Sequence, residues 1–413
     1  MKNKKIVRCT NPPVAVFIAI LILAGTVLAS GPKQAILHSF RSGDGLAPYG
    51  RVISDAAGNL YGTTALGGTS GAGIIFELPK PGAPSNRTEI VLYNFTGGSD
   101  GSQPYSGLIF DAAGNLYGTT YRGGTSDAGT VYQLSPPAKH GGTWTETVLY
   151  SFAGGTDGLG PQSDLIFDKA GNLYGTTDNG GSPGNGIVFQ LTPGQGGVWT
   201  ETILHSFVTS EGTSPRAAVI FDGKDWLYGT VANDGTSGNG AVFQLKPPAT
   251  KGGTWTEKTL YQFAGGSDGS GPLCRLVFFR GNLFGTTVRG GVSDTGTIFQ
   301  LTAPANPNGA WAETVLHSFS CGGDGCLPWA GLTVNKEGKF YGTTQFGGLP
   351  SNGGTVFQLR PDAGGWTESV LFSFKVANNR LSPAGLFLSR GGALYGSTIG
   401  KGMNAGMVFK LRP

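Results

Sequence analysis

Beyond Ala29 the chain is a succession of short runs rich in β-branched and aromatic residues, each bounded by Gly, Pro, Asp or Asn. Runs of this kind read as strands and the interruptions as turns. The stretch at 107–110, 116–120, 130–134 and 147–152 serves as the type, giving four strands in little more than 45 residues. Its first two runs are separated by Asp111-Ala112-Ala113-Gly114-Asn115, which is long enough only for a hairpin turn. The pattern then repeats. The tetrad Leu-Tyr-Gly-Thr or a close variant begins at Leu60, Leu116, Leu173, Leu227, Leu283, Phe340 and Leu394, so successive starts differ by 56, 57, 54, 56, 57 and 54 residues. A period of this size containing four short strands is one propeller blade. The expected fold is therefore all-β, a seven-bladed β-propeller with four antiparallel strands per blade.

The ends of the pattern predict how the ring closes. Ile36-Leu37-His38-Ser39-Phe40 matches the fourth strand of a unit, whereas Val408-Phe409-Lys410-Leu411 matches the third. Placing the N-terminal strand beside the C-terminal ones completes the last blade and removes the free edges that an open array would leave. The same copies carry a resemblance. Asp111-Ala112-Ala113-Gly114-Asn115-Leu116-Tyr117-Gly118-Thr119-Thr120, Gly123-Gly124, Gly129-Thr130-Val131-Tyr132-Gln133-Leu134 and Trp144-Thr145-Glu146-Thr147-Val148-Leu149-Tyr150-Ser151-Phe152 resemble the GloVer tandem-repeat family of bacterial exported proteins. The resemblance runs from Ala35 to Pro413 and implies export and a repeat fold, not a reaction.

Composition sharpens the picture in two places. Gly accounts for 73 of 413 residues and charged residues for 13%, as a turn-rich β protein requires. Of the 29 basic residues, Lys2, Lys4, Lys5 and Arg8 precede an apolar run from Val14 to Leu28, leaving 25 against 25 acidic residues in the remainder. A near-neutral body lacks the basic face that nucleic acid demands, so no nucleic-acid partner is expected. The basic start, apolar run and small residues up to Ala29 read as a cleavable signal peptide over 1–29, with one propeller domain over 30–413. No later stretch reaches spanning length, so no membrane span is expected once the leader is removed.

Candidate chemistry is sparse. His38, His205 and His317 share one repeat position with Tyr93, Tyr150, Tyr261 and Phe372, which points to a ring packed between strands. Asp44, Asp100, Asp157, Asp268 and Asp324 each precede Gly in the loop after the fourth strand. One carboxylate per loop falls well short of a calcium shell, and Asp-Gly is turn chemistry. Asp55, Asp111, Asp168 and Asp222 are expected to fix the hairpins. Neither a metal centre, a cofactor nor a nucleophile with its base emerges, so no catalytic residue is assigned.

Function in a repeat protein belongs where similar units differ on one face. Two such positions exist. One follows the loop Pro at the expected channel mouth and holds Tyr49, Tyr105, Gln162, Arg216, Leu273, Trp329 and Ala384. The other precedes Gly-Gly and includes Tyr121-Arg122, Asp178-Asn179, Val288-Arg289 and Gln345-Phe346. Aromatic and Arg residues at a concave mouth suit a sugar ring or a peptide. The expectation is an exported, non-catalytic binding or scaffold module for a carbohydrate or an extracellular protein or peptide. The alternatives are a carbohydrate-active enzyme using the same mouth and a structural envelope protein without a small ligand. One covalent feature is also expected. Cys321 and Cys326 replace Gly97 and Ser102 of an equal-length loop, and such a pair joins in an oxidising compartment, leaving Cys274 as the odd thiol.

Overall fold

The computed structural model describes residues 33–41, 43–80, 88–139, 141–233, 235–250, 252–306, 309–375, 382–400 and 406–413. The leader, with Cys9, and His140 lie outside the described residues. Among those described, strands build seven four-stranded antiparallel sheets and one two-stranded ribbon. The second blade is typical, with strands Ile109–Phe110, Leu116–Thr120, Thr130–Ser135 and Thr145–Ser151 in sequential order. The innermost strand is the shortest. The outermost alternates exposed and half-buried positions, as an edge facing water should.

Closure occurs as the strand pattern predicts. Lys33–Ser39 pairs antiparallel with Met407–Arg412, with Ile36 opposite Phe409, and completes the seventh blade with Leu394–Ile399 and Ser382–Leu388. The amide of Phe40 adds a bond to the carbonyl of Gly406 at 3.0 Å.

Each member of the repeated tetrad has a separate task. The Leu is buried in the interior of the sheet stack, at 0% exposure for Leu116, Leu173, Leu227, Leu283 and Leu394. The Tyr hydroxyl donates to the hairpin Asp, Tyr117 to Asp111 and Tyr174 to Asp168 at 3.0 Å each, while its ring meets the next blade, Tyr117 against Phe167 at 5.0 Å. The Gly leaves room for a ring from the third strand: a Cβ on Gly175 would stand 2.6 Å from Cζ of Phe189. The Thr hydroxyl donates to a carbonyl on the next blade, on the innermost strand or just before it, Thr63 to Ser106 at 2.7 Å and Thr343 to Ala384 at 3.2 Å. In the last blade Ser397 performs the same task toward Gly50, at 3.1 Å, and so ties blade seven to blade one.

Hairpins form for the reason the sequence suggests. Asp111 accepts the amides of Ala113 and Asn115 and the side chain of Asn115 at 2.7–2.9 Å. Burial pushes its carboxyl upward, but the bonds from Asn115, Tyr117 and Ala113 win and hold it below the usual range.

Candidate functional site

The seven innermost strands surround a central cavity of about 800 Å³. Side chains reach it from every second residue of a strand. In blade three the lining includes the alternate residues Gln162, Asp164 and Ile166, and in blade five Leu273, Arg275 and Val277. The lining is thus layered, with variable residues at the mouth, a middle layer that holds the charges, and an apolar layer below.

Tyr49, Tyr105, Gln162, Arg216, Leu273 and Trp329 all line the cavity at the mouth. Tyr49 and Trp329 are 43% and 50% exposed, so their faces are open to a visiting group. Tyr49, Tyr105 and Tyr121 meet edge to face, with centroids 5.0 and 5.5 Å apart, and the guanidinium of Arg122 lies 5.5 Å from the Tyr121 ring. Burial, followed by the neighbouring Tyr49 and Tyr121, raises the Tyr105 hydroxyl above its ordinary value, so it remains a neutral donor. Arg216 is anchored by Asp178, Nε to Oδ1 at 2.8 Å, with the Asp178 side chain 5% exposed.

Other expected residues stay outside the cavity lining. Arg122 and Arg289 face Asp127 and Asp294 of their own loops at 3.6 and 3.7 Å. Asn179 lies in a two-residue ribbon opposite Leu159, and Phe346 exchanges backbone bonds with Cys326 at 2.8 and 3.2 Å. These contacts zip the Asp-Gly loop to the loop between strands two and three, which puts both on one face. Ala384 is corrected by one position. Its carbonyl accepts from Thr343 as Ser106 does from Thr63, so Ala384 matches Ser106, not Tyr105.

Sequence reading missed the middle layer. That position holds Arg51, Gly107, Asp164, Ala218, Arg275, Gly331 and Gly385 in successive blades. The signal was present: four small residues and three charged ones at one repeat position. Arg51 Nε donates to Asp164 Oδ2 at 2.8 Å, and the amide of Gly107 donates to Asp164 Oδ1 at 2.6 Å. Arg275 Nε is buried without a hydrogen-bond partner. Burial and the charge of Arg51 push the Arg275 guanidinium down to about 10, against the opposing pull of Asp164.

Away from the channel, the His and Tyr position is a packing site as expected, with His38 on Phe40 at 4.7 Å and Tyr93 on Phe95 at 5.2 Å. The polar tips do more than the sequence indicated. Tyr93, Tyr150 and Tyr261 donate to Asp100, Asp157 and Asp268 at 2.9–3.1 Å. A second acid, Glu146, Glu201 or Glu313, arrives from the next blade and faces the same Asp. His38, Asp44 and Glu89 form the first of these sets, with potential ligand atoms within 4.8 Å of one another. His205 and His317 repeat it with Glu211 and Asp324 at 2.9 and 3.3 Å, and Tyr93, Tyr150 and Tyr261 replace the His, which marks the set as a repeated contact between blades.

The expected disulfide is present, joining Cys321 to Cys326 across a Cα separation of 4.5 Å. Cys274 is buried and free, with the Thr286 amide donating to its Sγ at 3.1 Å, in the way the Thr119 amide reaches Ser106 Oγ. Among the described residues, no helix is long and apolar enough to cross a membrane.

A family model described as the Gloeobacter/Verrucomicrobia repeat matches residues 24–243, 83–299 and 226–413. No curated protein matches the chain in sequence. Among solved structures, a streptogramin B lyase is similar over 92% of this chain and 97% of its own, at 15% identity and a TM-score of 0.55. A gluconolactonase from Xanthomonas campestris covers 92% and 89% at 14% identity, with a TM-score of 0.43. An AA12 carbohydrate-active enzyme from Trichoderma reesei covers 93% and 96% at 14% identity, with a TM-score of 0.46. At such identities the likeness to the lyase shows a shared fold and nothing of its chemistry.

Proposed function

The chain belongs to the Gloeobacter/Verrucomicrobia repeat family, and from that premise we propose that it is an exported binding propeller that takes a sugar ring at its channel mouth. One observation carries the reading: Tyr49, Tyr105, Gln162, Arg216 and Trp329, which differ between otherwise similar blades, converge on a single cavity. Half-exposed aromatic faces beside a few oriented polar groups are how a concave site holds a sugar. Export is supported by the disulfide, which persists in oxidising compartments, and by the composition of the leader.

A glycosidase needs two carboxylates facing each other across a substrate. Asp164 is the carboxylate among the described residues that line the cavity, and it is already engaged by Arg51 and Gly107, so binding without turnover is the better-supported role. The test is a glycan array probed with the mature chain and with a Tyr105→Ala/Trp329→Ala variant. The expected result is a neutral or acidic glycan bound by the parent and bound about tenfold less by the variant, at an unchanged melting temperature. Equal binding by both proteins would contradict a mouth site, a peptide captured in place of any glycan would change the ligand class, and cleavage of the bound glycan would establish the enzyme alternative.

A further inference from the structure

The middle layer of the channel is a small built environment. Gly107, Gly331 and Gly385 give up their side-chain volume to charged neighbours. A Cβ on Gly107 would lie 2.9 Å from Asp164 Oδ1 and 3.1 Å from Arg51 Cγ; one on Gly331 would lie 3.3 Å from Arg275 Cβ, and one on Gly385 would lie 3.2 Å from Arg51 Cβ. Into this space project two guanidinium groups and one carboxylate, leaving one positive charge in excess. Arg216 at the mouth does not alter the balance, since Asp178 matches it.

The donors are unevenly used. Asp164 occupies Arg51 through Nε, which leaves the two terminal nitrogens of that side chain without a hydrogen bond among the described residues. Arg275 is half-buried, and its Nε is cut off from water without a hydrogen-bond partner among the described residues. A buried, unpaired cation is costly and is retained where something else completes it. The guanidinium fork fits a carboxylate in a two-pronged, charge-assisted pair. An oxyanion between the two arginines would relieve both the burial and the mutual repulsion that depress Arg275.

We propose that the middle layer is a carboxylate-binding site, in which Arg51 and Arg275 hold the acid group of a sugar acid whose ring stands against the mouth aromatics. The acid half stands on the arginines alone; the ring half rests on the mouth-binding reading above. Asp164 is a positioning residue that fixes the Arg51 fork, and Arg275 supplies the unspent charge.

Glucuronate, glucose and acetate are suitable probes, titrated calorimetrically into the full mature chain at low chloride. Glucuronate is expected to bind at least about tenfold more tightly than glucose, since a desolvated carboxylate pair contributes a difference of that order. Acetate should bind more weakly than glucuronate but measurably. Arg275→Gln should erase the preference for glucuronate and the binding of acetate while raising the melting temperature of the unliganded protein, because a half-buried charge with an unpartnered Nε beside Arg51 is removed. Arg275→Lys, which keeps the charge and loses the fork, should retain a reduced preference. Equal binding of glucuronate and glucose without acetate binding would overturn the acid site and leave the mouth site standing. Acetate binding that matches glucuronate would support the acid site and overturn the ring contacts. An acid preference that survives in Arg275→Gln, or no binding of either acid, would overturn the proposal.

Discussion

The tetrad works because four side chains with unlike chemistry each meet a different neighbour, and the Gly is the least replaceable of them. In Gly285 the position of a Cβ is taken by Cζ of Phe299 at 2.6 Å, with Leu276 Cδ2 at 3.0 Å. Phe299 is fully buried and cannot swing aside. Gly285→Ala is therefore expected to destabilise by about 1–3 kcal/mol through overpacking, measured by urea unfolding. Thr230→Val is expected to cost less, about 1 kcal/mol, because it removes one hydroxyl bond to Cys274 at 3.3 Å while keeping the shape. The sequence displayed these residues but not their tasks. A Gly that recurs seven times and a Thr that recurs six times announce a constraint, whereas the partner, one blade away, becomes visible only when blades are set side by side.

At the level of strands and loops, the least legible contacts were those joining adjacent blades. Glu146, Glu201, Glu257, Glu313 and Glu368 sit on outer strands, where alternation suggests a solvated edge, yet each faces an acid of the preceding loop. Burial, followed by Asp100, Asp157, Glu211, Asp268 and Asp324 in that order, raises each to about 7, and burial with Asp44 raises Glu89 to about 8. The unfolded chain releases these protons near pH 4.3, so between there and about pH 7 it holds fewer protons than the folded one, and stability falls as pH rises through that window. His38 and His317 act oppositely: burial holds them neutral, and stability is lost as pH falls below about 6.5. The melting temperature is expected to be higher at pH 6.5 than at pH 8.5, and Glu146→Gln with Glu313→Gln should reduce that difference. A melting temperature that rises from pH 6.5 to 8.5 would contradict the account. The chain contains its own precedent. At the seventh contact Phe372 replaces the polar ring, no acid occurs between Phe374 and Ser382, and Gln34 stands where the others carry Glu.

Over the whole molecule, period and chain ends were enough to predict seven blades and the N-terminal closure, because a propeller's architecture is a count of identical units. The mouth was legible for the opposite reason, since function in a ring lies where copies differ, and all seven mouth residues assigned from sequence line the cavity. Within the lining Ala384 sits one register position further along the strand, because its unit lacks the acidic residue and Gly that set the loop spacing in the other six. Closure by Lys33–Ser39 makes a direct stability prediction. Deleting residues 34–40 exposes the edge of Met407–Arg412 and removes Phe40, which is 3% exposed, so the ring should melt at least about 10 °C lower or aggregate. A truncated chain that melts with the parent would show that closure contributes little. The binding reading has its own decisive measurement, a crystal structure of the mature chain soaked with the glycan found on the array. Density is expected within the central cavity, with a sugar ring against Tyr105 or Trp329. Density only on the outer strands or loops, with the cavity holding solvent alone, would contradict it.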